Sequence, residues 1–318
     1  LYSGAMHYWR LERSSWRAGL TQLRDLGLPI VETYVPWQVH EVAPGEYDFG
    51  EHDARKDVGA FVDIAADLGL FVFARPGPHI NAEMTYFGLP ERIVYDSACQ
   101  ARSPQHNPVI QGFPPRMFPV PSYASRTFHD EVGRWFDAVG ATLAPRLWPA
   151  GPIVLLQIDN EGSYYFRDGT YEQDYHPDAV AEWRKYLEKR YGNLAKTGEA
   201  HNKRYARWDE AGPPQRFAAQ SAEDLVVHLD WVTFREKMIA SSLSRMKRRL
   251  GKAGLKGPVT VHNFPLGDQG AAMSSPAIEK VVDLVGFDYY HARREHRAIK
   301  RRTLYLAGTH ALPYAPEM

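Results

Sequence analysis

The sequence has 318 residues, 44% hydrophobic and 24% charged, with 38 basic side chains balanced by 38 acidic ones. Such a composition is globular and long enough for one large domain or two smaller ones. It argues against a nucleic-acid partner, which needs clustered Lys and Arg, and no apolar run approaches the roughly 18 residues that span a membrane.

Short apolar runs alternate with longer helix-like segments along the whole chain, the pattern of parallel strands joined by crossover helices. The strands are expected at 2–9, 29–37, 70–77, 152–161, 258–264, 282–290 and 312–318. Helix-like stretches fall at 14–27, 53–68, 126–148, 176–190, 222–250 and 294–309. Gly27 and Gly69 end two of them just before a strand, where a left-handed residue is wanted. The basic runs "RMKRRLGK" (245–252) and "IKRR" (299–302) read as solvated helix faces.

Seven strands with six helical segments are one unit short of a (β/α)8 TIM barrel. An open doubly wound sheet is the runner-up, disfavoured because no phosphate-cradling turn follows the first strand. The chain begins inside a strand-like run and stops at "YAPEM". It is therefore expected to be a single catalytic barrel domain over 1–318, cut from a longer protein, with the eighth βα unit beyond Met318. Two long connections, 78–125 and 191–221, are expected to form rim insertions that wall a pocket.

Cys99 is the only cysteine and the 13 His residues are scattered, so no internal disulfide can form and no metal cluster is expected. Walker, GxGxxG, GxSxG and HExxH motifs are absent, and no cofactor is expected. Instead, polar residues gather at the carboxyl ends of the strands, the face on which barrel active sites are built. They include His7, Tyr34, Arg75, Asn160, Glu161, Asn263, Asp288, Tyr289 and Glu317.

The fourth strand poses the sharpest question: "PIVLLQIDNEGSYY" runs from four apolar residues directly into Asp159, Asn160 and Glu161. A carboxylate at the edge of a core costs several kcal/mol unless paired, hydrated or used. Glu161 and Glu317 end the fourth and seventh strands, and in a barrel both face one cup. Two carboxylic acids so placed are the minimum kit for glycosidic cleavage: one gives a proton to the leaving oxygen, the other attacks the sugar carbon or activates water. Asn160 adds an amide able to hold a sugar hydroxyl. The bland alternative for either Glu is a helix N-cap or a loop ion pair. Arg75 is expected to orient a rim carboxylate or to sit in a structural ion pair. Tyr289, His262 and Asn263 lie where a sugar face would pack, though such positions also serve core packing.

The stretches "YSGAMHYWR", "VETYVPWQVHEVAPGEYDFG", "FARPGPHINAE" and "GPIVLLQIDNEGSYY" resemble, in order, the strand-end motifs of glycoside hydrolase family 35, the β-galactosidases. The stretch "WRKYLEKRYGNLAKTGEAHNKRYARWDEAGPP", followed by "LDWVTFREKMIASSL", resembles the middle of family 42 β-galactosidases. Both belong to one clan of retaining glycosidases built on the (β/α)8 barrel. The resemblance implies Glu161 as general acid/base and Glu317 as nucleophile, with Tyr34, Ala82, Glu83 and Asn160 lining the terminal galactose subsite. It further implies retention, with the carboxyl groups about 5–5.5 Å apart, and a Glu161 pKa raised by the nearby anionic Glu317. Two positions depart from the family 35 pattern: Asn81 stands where Cys is usual, and His79 where Tyr is frequent. Hence the substrate is expected to be a β-galactoside. A related retaining β-glycosidase, for example an exo-β-glucosaminidase, and a non-catalytic carbohydrate-binding barrel are the alternatives. Compartment and oligomeric state are left open.

Overall fold

A computed structural model describes residues 2–112, 117–162, 164–167, 169–265 and 275–288. Six strands form one sheet in sequence order, each parallel to the next: β1 Ser3–Ala5, β2 Ile30–Tyr34, β3 Phe71–Arg75, β4 Ile153–Gln157, β5 Val259–Pro265 and β6 Leu284–Asp288. This continuous arc, with its helices on one side, is that of a (β/α)8 barrel. The expected seventh strand, 312–318, and the helix at 294–309 lie outside the described residues.

Alternation along the strands separates two cores. Ile30, Phe73 and Val261, with Leu155 and Leu284 against them, form a small apolar layer on the inner face, one residue from each of five strands. The outer residues Val31, Val72, Ala74 and Leu156 join the large cluster beneath the helices. Two positions beyond the inner layer lie Glu32, Arg75, Gln157 and Asn263, all nearly fully buried. The register slips between β3 and β4, with Val72 opposite Ile153 but Phe73 opposite Leu155. That slip turns Leu155 inward and keeps Gln157 on the polar ring.

The main helices are α1 Trp16–Asp25, α2 Val58–Asp67, α3 Arg126–Leu143, α4 Pro177–Tyr191, α5 Leu194–Ala200 and α6 Leu225–Lys252. Their starts follow from capping chemistry. Asp57 accepts from the Ala60 N–H at 2.8 Å, Ser125 from Phe128 at 3.1 Å, and Pro177 opens α4. Helix α3 buries Phe128, Val132, Trp135, Phe136, Val139 and Leu143, a stripe of helical period. It meets α6 so closely that a Cβ on Gly140 would lie 2.3 Å from the Ala253 carbonyl oxygen. The Trp135 indole donates to the Pro76 carbonyl at 2.7 Å, fixing α3 to the exit of β3.

Several boundaries differ from expectation. Strand β1 ends at Ala5, because residues 8–10 form a 3-10 turn whose Tyr8 hydroxyl packs on His40. Strand β4 ends at Gln157, not Glu161, because Asp159 at φ 58° and Glu161 at φ 45° leave the extended region. Segment 78–125 joins the large core through buried residues that include Ile93, Val94, Phe118 and Val120, and carries a short hairpin pairing Ile110–Gln111 with Phe118–Pro119. Segment 191–221 packs against α4 and α6. Its His201 bonds Asp230 at 3.0 Å, and the Ala211 and Pro214 carbonyls accept from Trp183 and Tyr175.

Candidate active site

The polar ring leads directly to the site. Arg75 and Glu32 are 1% and 3% exposed, and their charges would be costly there without partners. The guanidinium lies 3.7 Å from Glu32 Oε1, stacks 3.9 Å above the Tyr34 ring and donates to Asn160 Oδ1 at 2.7 Å. Gln157 Nε2 reaches the same Asn160 oxygen at 3.0 Å, Asn263 Oδ1 at 2.5 Å and the Asp159 carbonyl at 2.9 Å. The Tyr34 hydroxyl completes the set at 3.5 Å. With donors converging on Oδ1, the Asn160 amide has one orientation: its N–H groups face away from the ring, and Nδ2 lies 3.4 Å from Glu161 Oε2.

Neighbouring strand residues point to opposite faces, yet Asn160 and Glu161 share one. The left-handed residues Asp159 and Glu161 break the alternation and turn the chain over the barrel mouth. For residues other than glycine such backbone costs about 1–3 kcal/mol each and persists only where the surroundings impose it. Asp159 supplies that constraint. Its N–H donates to the Gly77 carbonyl at 2.8 Å, while its carboxyl accepts from the His79 N–H at 3.2 Å and the Tyr123 hydroxyl at 2.7 Å. The exits of β3 and β4 are thereby clasped together. Gly162 follows because a Cβ there would meet the His262 ring at 2.8 Å.

The turn after β3 carries Asn81, Ala82 and Glu83, all left-handed at φ 54°, 50° and 50°. Asn81 Nδ2 donates to Glu161 Oε2 at 3.1 Å. The Ala82 carbonyl accepts from Arg10, and Ala82 packs with Tyr34 and Ile80. Near them the His7 ring lies 4.8 Å from Trp9 and 5.2 Å from Tyr34, an aromatic patch of the kind that receives a sugar face.

Of the residues expected at the site, Tyr34, Asn160 and Glu161 come together, and Ala82 borders them. Glu83 is exposed and makes no hydrogen bond to them among the described residues. Glu317 and Tyr289 lie outside the described residues. His262 is corrected from a rim position to the outer face of β5, where its Nδ1–H donates to the Ile158 carbonyl at 2.7 Å. The sequence reading missed Gln157, Glu32, Tyr123 and the contact of Asn81 with Glu161. The first two were accessible in principle, since steps of two from Ile30 and Leu155 reach them. No group of three or more metal-ligating side chains occurs among the described residues, and no helix there is long and apolar enough to cross a membrane.

Burial sets the proton inventory. It pushes the Asp159 carboxyl up to about 7, opposed by its hydrogen bonds, and also raises Asp174. It lowers His79 to about 3, and His40, His129 and His262 to about 4. These imidazoles stay neutral in the fold but gain protons below about pH 6.5 when unfolded. Their stabilisation is whole above that pH and is lost as pH falls toward 4. Asp159 and Asp174 oppose this, holding protons in the fold that the unfolded chain releases. The lowered imidazoles outnumber the two raised carboxyls, so on balance unfolding takes up protons as the pH falls below about 6.5. Urea midpoints should therefore drop clearly between pH 7.5 and 5.0; equal midpoints would contradict the assignment of neutral buried imidazoles.

The family model described as "Beta-galactosidase" (Glyco_hydro_42) matches residues 119–313, and "Glycosyl hydrolases family 35" matches residues 1–109. The Asp159–Glu161 turn thus lies in the former and the Asn81 turn in the latter. The chain is 30% identical over 260 residues to an exo-beta-D-glucosaminidase of Pyrococcus horikoshii, covering 79% of this chain and 32% of that protein. It is 36% identical over 172 residues to a beta-galactosidase of Felis catus, covering 53% and 22% respectively. The solved beta-galactosidase from Marinomonas ef1 superposes with a TM-score of 0.72 at 18% identity, over 93% of this chain and 43% of that one. The last likeness establishes the barrel fold.

Proposed function

Because the chain belongs to the β-galactosidase family whose model spans residues 119–313, behind a family 35 segment, we propose that it carries the catalytic centre of a retaining, exo-acting β-galactosidase. The observation supporting this most is Glu161. It is a carboxylate 3% exposed at the mouth of a parallel barrel, held by two amides on a strained turn. A structural N-cap or surface ion pair would need none of this.

Glu161 delivers a proton to the glycosidic oxygen while Glu317 attacks the anomeric carbon from the opposite face, forming a glycosyl ester. The aglycone departs as the alcohol. Loss of the Glu317 charge then makes Glu161 a stronger acid, so its carboxylate form takes a proton from water, which attacks the ester. Two inversions give net retention. The Asn160 amide, turned outward by Arg75 and Gln157, is positioned to bind a ring hydroxyl whose hydrogen bond strengthens as charge develops. Tyr34 and Ala82 border that subsite, with Glu83 and Tyr289 as its further members. No metal or cofactor enters any step, and the partner is a carbohydrate.

A second reading, cleavage of terminal β-glucosaminides, is supported by the Pyrococcus relative, whose similarity covers more of this chain than that of the Felis catus protein. The mechanism is unchanged and only the subsite differs. The test is a panel of aryl β-glycosides with the whole protein. The expected result is kcat/KM for the β-galactoside at least about 10-fold above that for the β-glucosaminide, a margin that pocket contacts can supply. The reverse ratio would establish the second reading. No turnover of any glycoside would favour a non-catalytic carbohydrate-binding barrel.

A further inference from the structure

Glu161 stands inside a stretch, 159–165, in which Asp159, Glu161, Tyr164 and Tyr165 all adopt left-handed backbone, at φ 58°, 45°, 53° and 54°. Such backbone persists only where the surroundings impose it. One side chain meets both ends of the stretch. The Tyr123 hydroxyl donates to Asp159 Oδ2 at 2.7 Å, and its ring stacks 5.3 Å from that of Tyr165 and lies edge-on 6.0 Å from that of Tyr164. We propose that Tyr123 is a positioning residue for the acid/base step: by holding the chain on both sides of Glu161, it fixes where that carboxyl stands. The inference rests on the reading of Glu161 as acid/base and goes beyond it by naming a residue of the 78–125 insertion on which the placement of the acid depends.

Tyr123 is 1% exposed and is itself fixed to the helix layer. Its carbonyl accepts from His129 Nε2 on α3 at 2.9 Å and from Arg245 Nη2 on α6 at 2.8 Å. The Tyr164 hydroxyl donates to the Arg235 carbonyl at 2.7 Å, so α6 also holds the far end of the stretch directly. Tyr123 thus passes the position of α3 and α6 to the turn at the barrel mouth. There Asp159 divides its oxygens, Oδ1 taking the His79 N–H and Oδ2 the Tyr123 hydroxyl. Contacts of the Glu161 side chain orient its carboxyl, whereas the hold of Tyr123 sets the backbone from which that side chain projects. Asn160 has a separate hold, because Arg75 and Gln157 donate to its oxygen. Loss of the Tyr123 hydroxyl should therefore displace the acid more than the sugar-binding amide.

Three variants separate this role from plain packing. Tyr123→Phe deletes one oxygen and keeps the ring that stacks on Tyr165. Asp159→Ala breaks the same hydrogen bond from the other side. Asp159→Asn restores both contacts without a carboxylate: its amide oxygen can take the His79 N–H, and its amide N–H can donate to the Tyr123 hydroxyl, which accepts as well as donates.

In the whole protein, kcat for β-galactosides with poor leaving groups should fall about 10–100-fold in Tyr123→Phe, since misplacing a reacting group by about 1 Å can cost 10²-fold. For activated aryl galactosides, which leave without a placed proton, the loss of kcat/KM should stay within about 3-fold. KM should stay close to the parent's, because the ring of donors around Asn160 is intact. Asp159→Ala should show the same split between leaving groups, and Asp159→Asn should regain part of what Asp159→Ala loses. Parent-like rates in Tyr123→Phe would overturn the proposal, as would an equal loss for every leaving group or no gain from alanine to asparagine at position 159. Amide hydrogen exchange reads the hold without turnover: peptides covering 158–162 should exchange faster in Tyr123→Phe than in the parent. Unchanged exchange there would overturn the role of Tyr123 even in a protein without glycosidase activity, whereas a parent protein inactive on all glycosides would overturn the reading of Glu161 as acid/base.

Discussion

Glu161→Ala should lose about 10³-fold in kcat/KM on a β-galactoside with a poor leaving group, because general acid catalysis typically contributes 10²–10⁴. The loss should shrink to about 10-fold for the first step of an activated aryl galactoside, whose leaving group departs without a proton. The second step still needs the base, so the glycosyl ester accumulates and both kcat and KM fall together. Azide needs no base and should restore turnover by attacking that ester. The fold should survive, since Glu161 lies on a turn after β4 rather than in the apolar layers beneath it. A variant with parent-like kcat on every substrate would remove Glu161 from the mechanism.

Arg75→Met is expected to be the most destabilising single change in the described part of the barrel. It deletes the guanidinium beside the buried Glu32 carboxylate, the stacking on Tyr34 and the 2.7 Å donor to Asn160. Breaking a buried charge pair from one side costs about 3–5 kcal/mol, a large share of the 5–15 kcal/mol typical of a domain. Adding Glu32→Leu should recover much of that stability, because two apolar side chains can pack together where a carboxylate that has lost its buried guanidinium partner pays for desolvation. It should not recover kcat fully, because the Asn160 amide still lacks the shortest of the donors that turn it toward the substrate. Urea unfolding of both variants beside galactosidase kinetics separates the two effects. A single variant within about 1 kcal/mol of the parent would contradict the pairing.

Much of this architecture was legible because strand patterning and helix caps are local. The runs around Val31, Val72 and Leu156 have the length and apolarity of buried strands, and the helices capped by Ser125 and opened by Pro177 start within one residue of expectation, whereas the one expected from residue 53 starts at Val58, after Asp57. Glu161 and Asn160 could be singled out because polar residues at the end of an apolar run have few physical excuses. What escaped was non-local. Gln157 and Glu32 read as single polar residues inside strands, and only the folded sheet shows that they share one ring with Arg75 and Asn263. Tyr123 lies in a long insertion without periodicity, 36 residues before the Asp159 it holds. Asn81 meets Glu161 across 80 residues, through backbone conformations no propensity favours for three successive residues other than glycine. His262 was misplaced for a simpler reason: it alternates with Asn263, and only one of the two can face the cup.

The configuration of the glycosyl azide released by Glu161→Ala tests the central claim most directly. If Glu161 works on the leaving-group face and a second carboxylate forms the ester, azide enters from the β face and the product is the β-galactosyl azide. An α-azide would mean that Glu161 itself is the attacking group, and with it the assignment of the two carboxylates would fall.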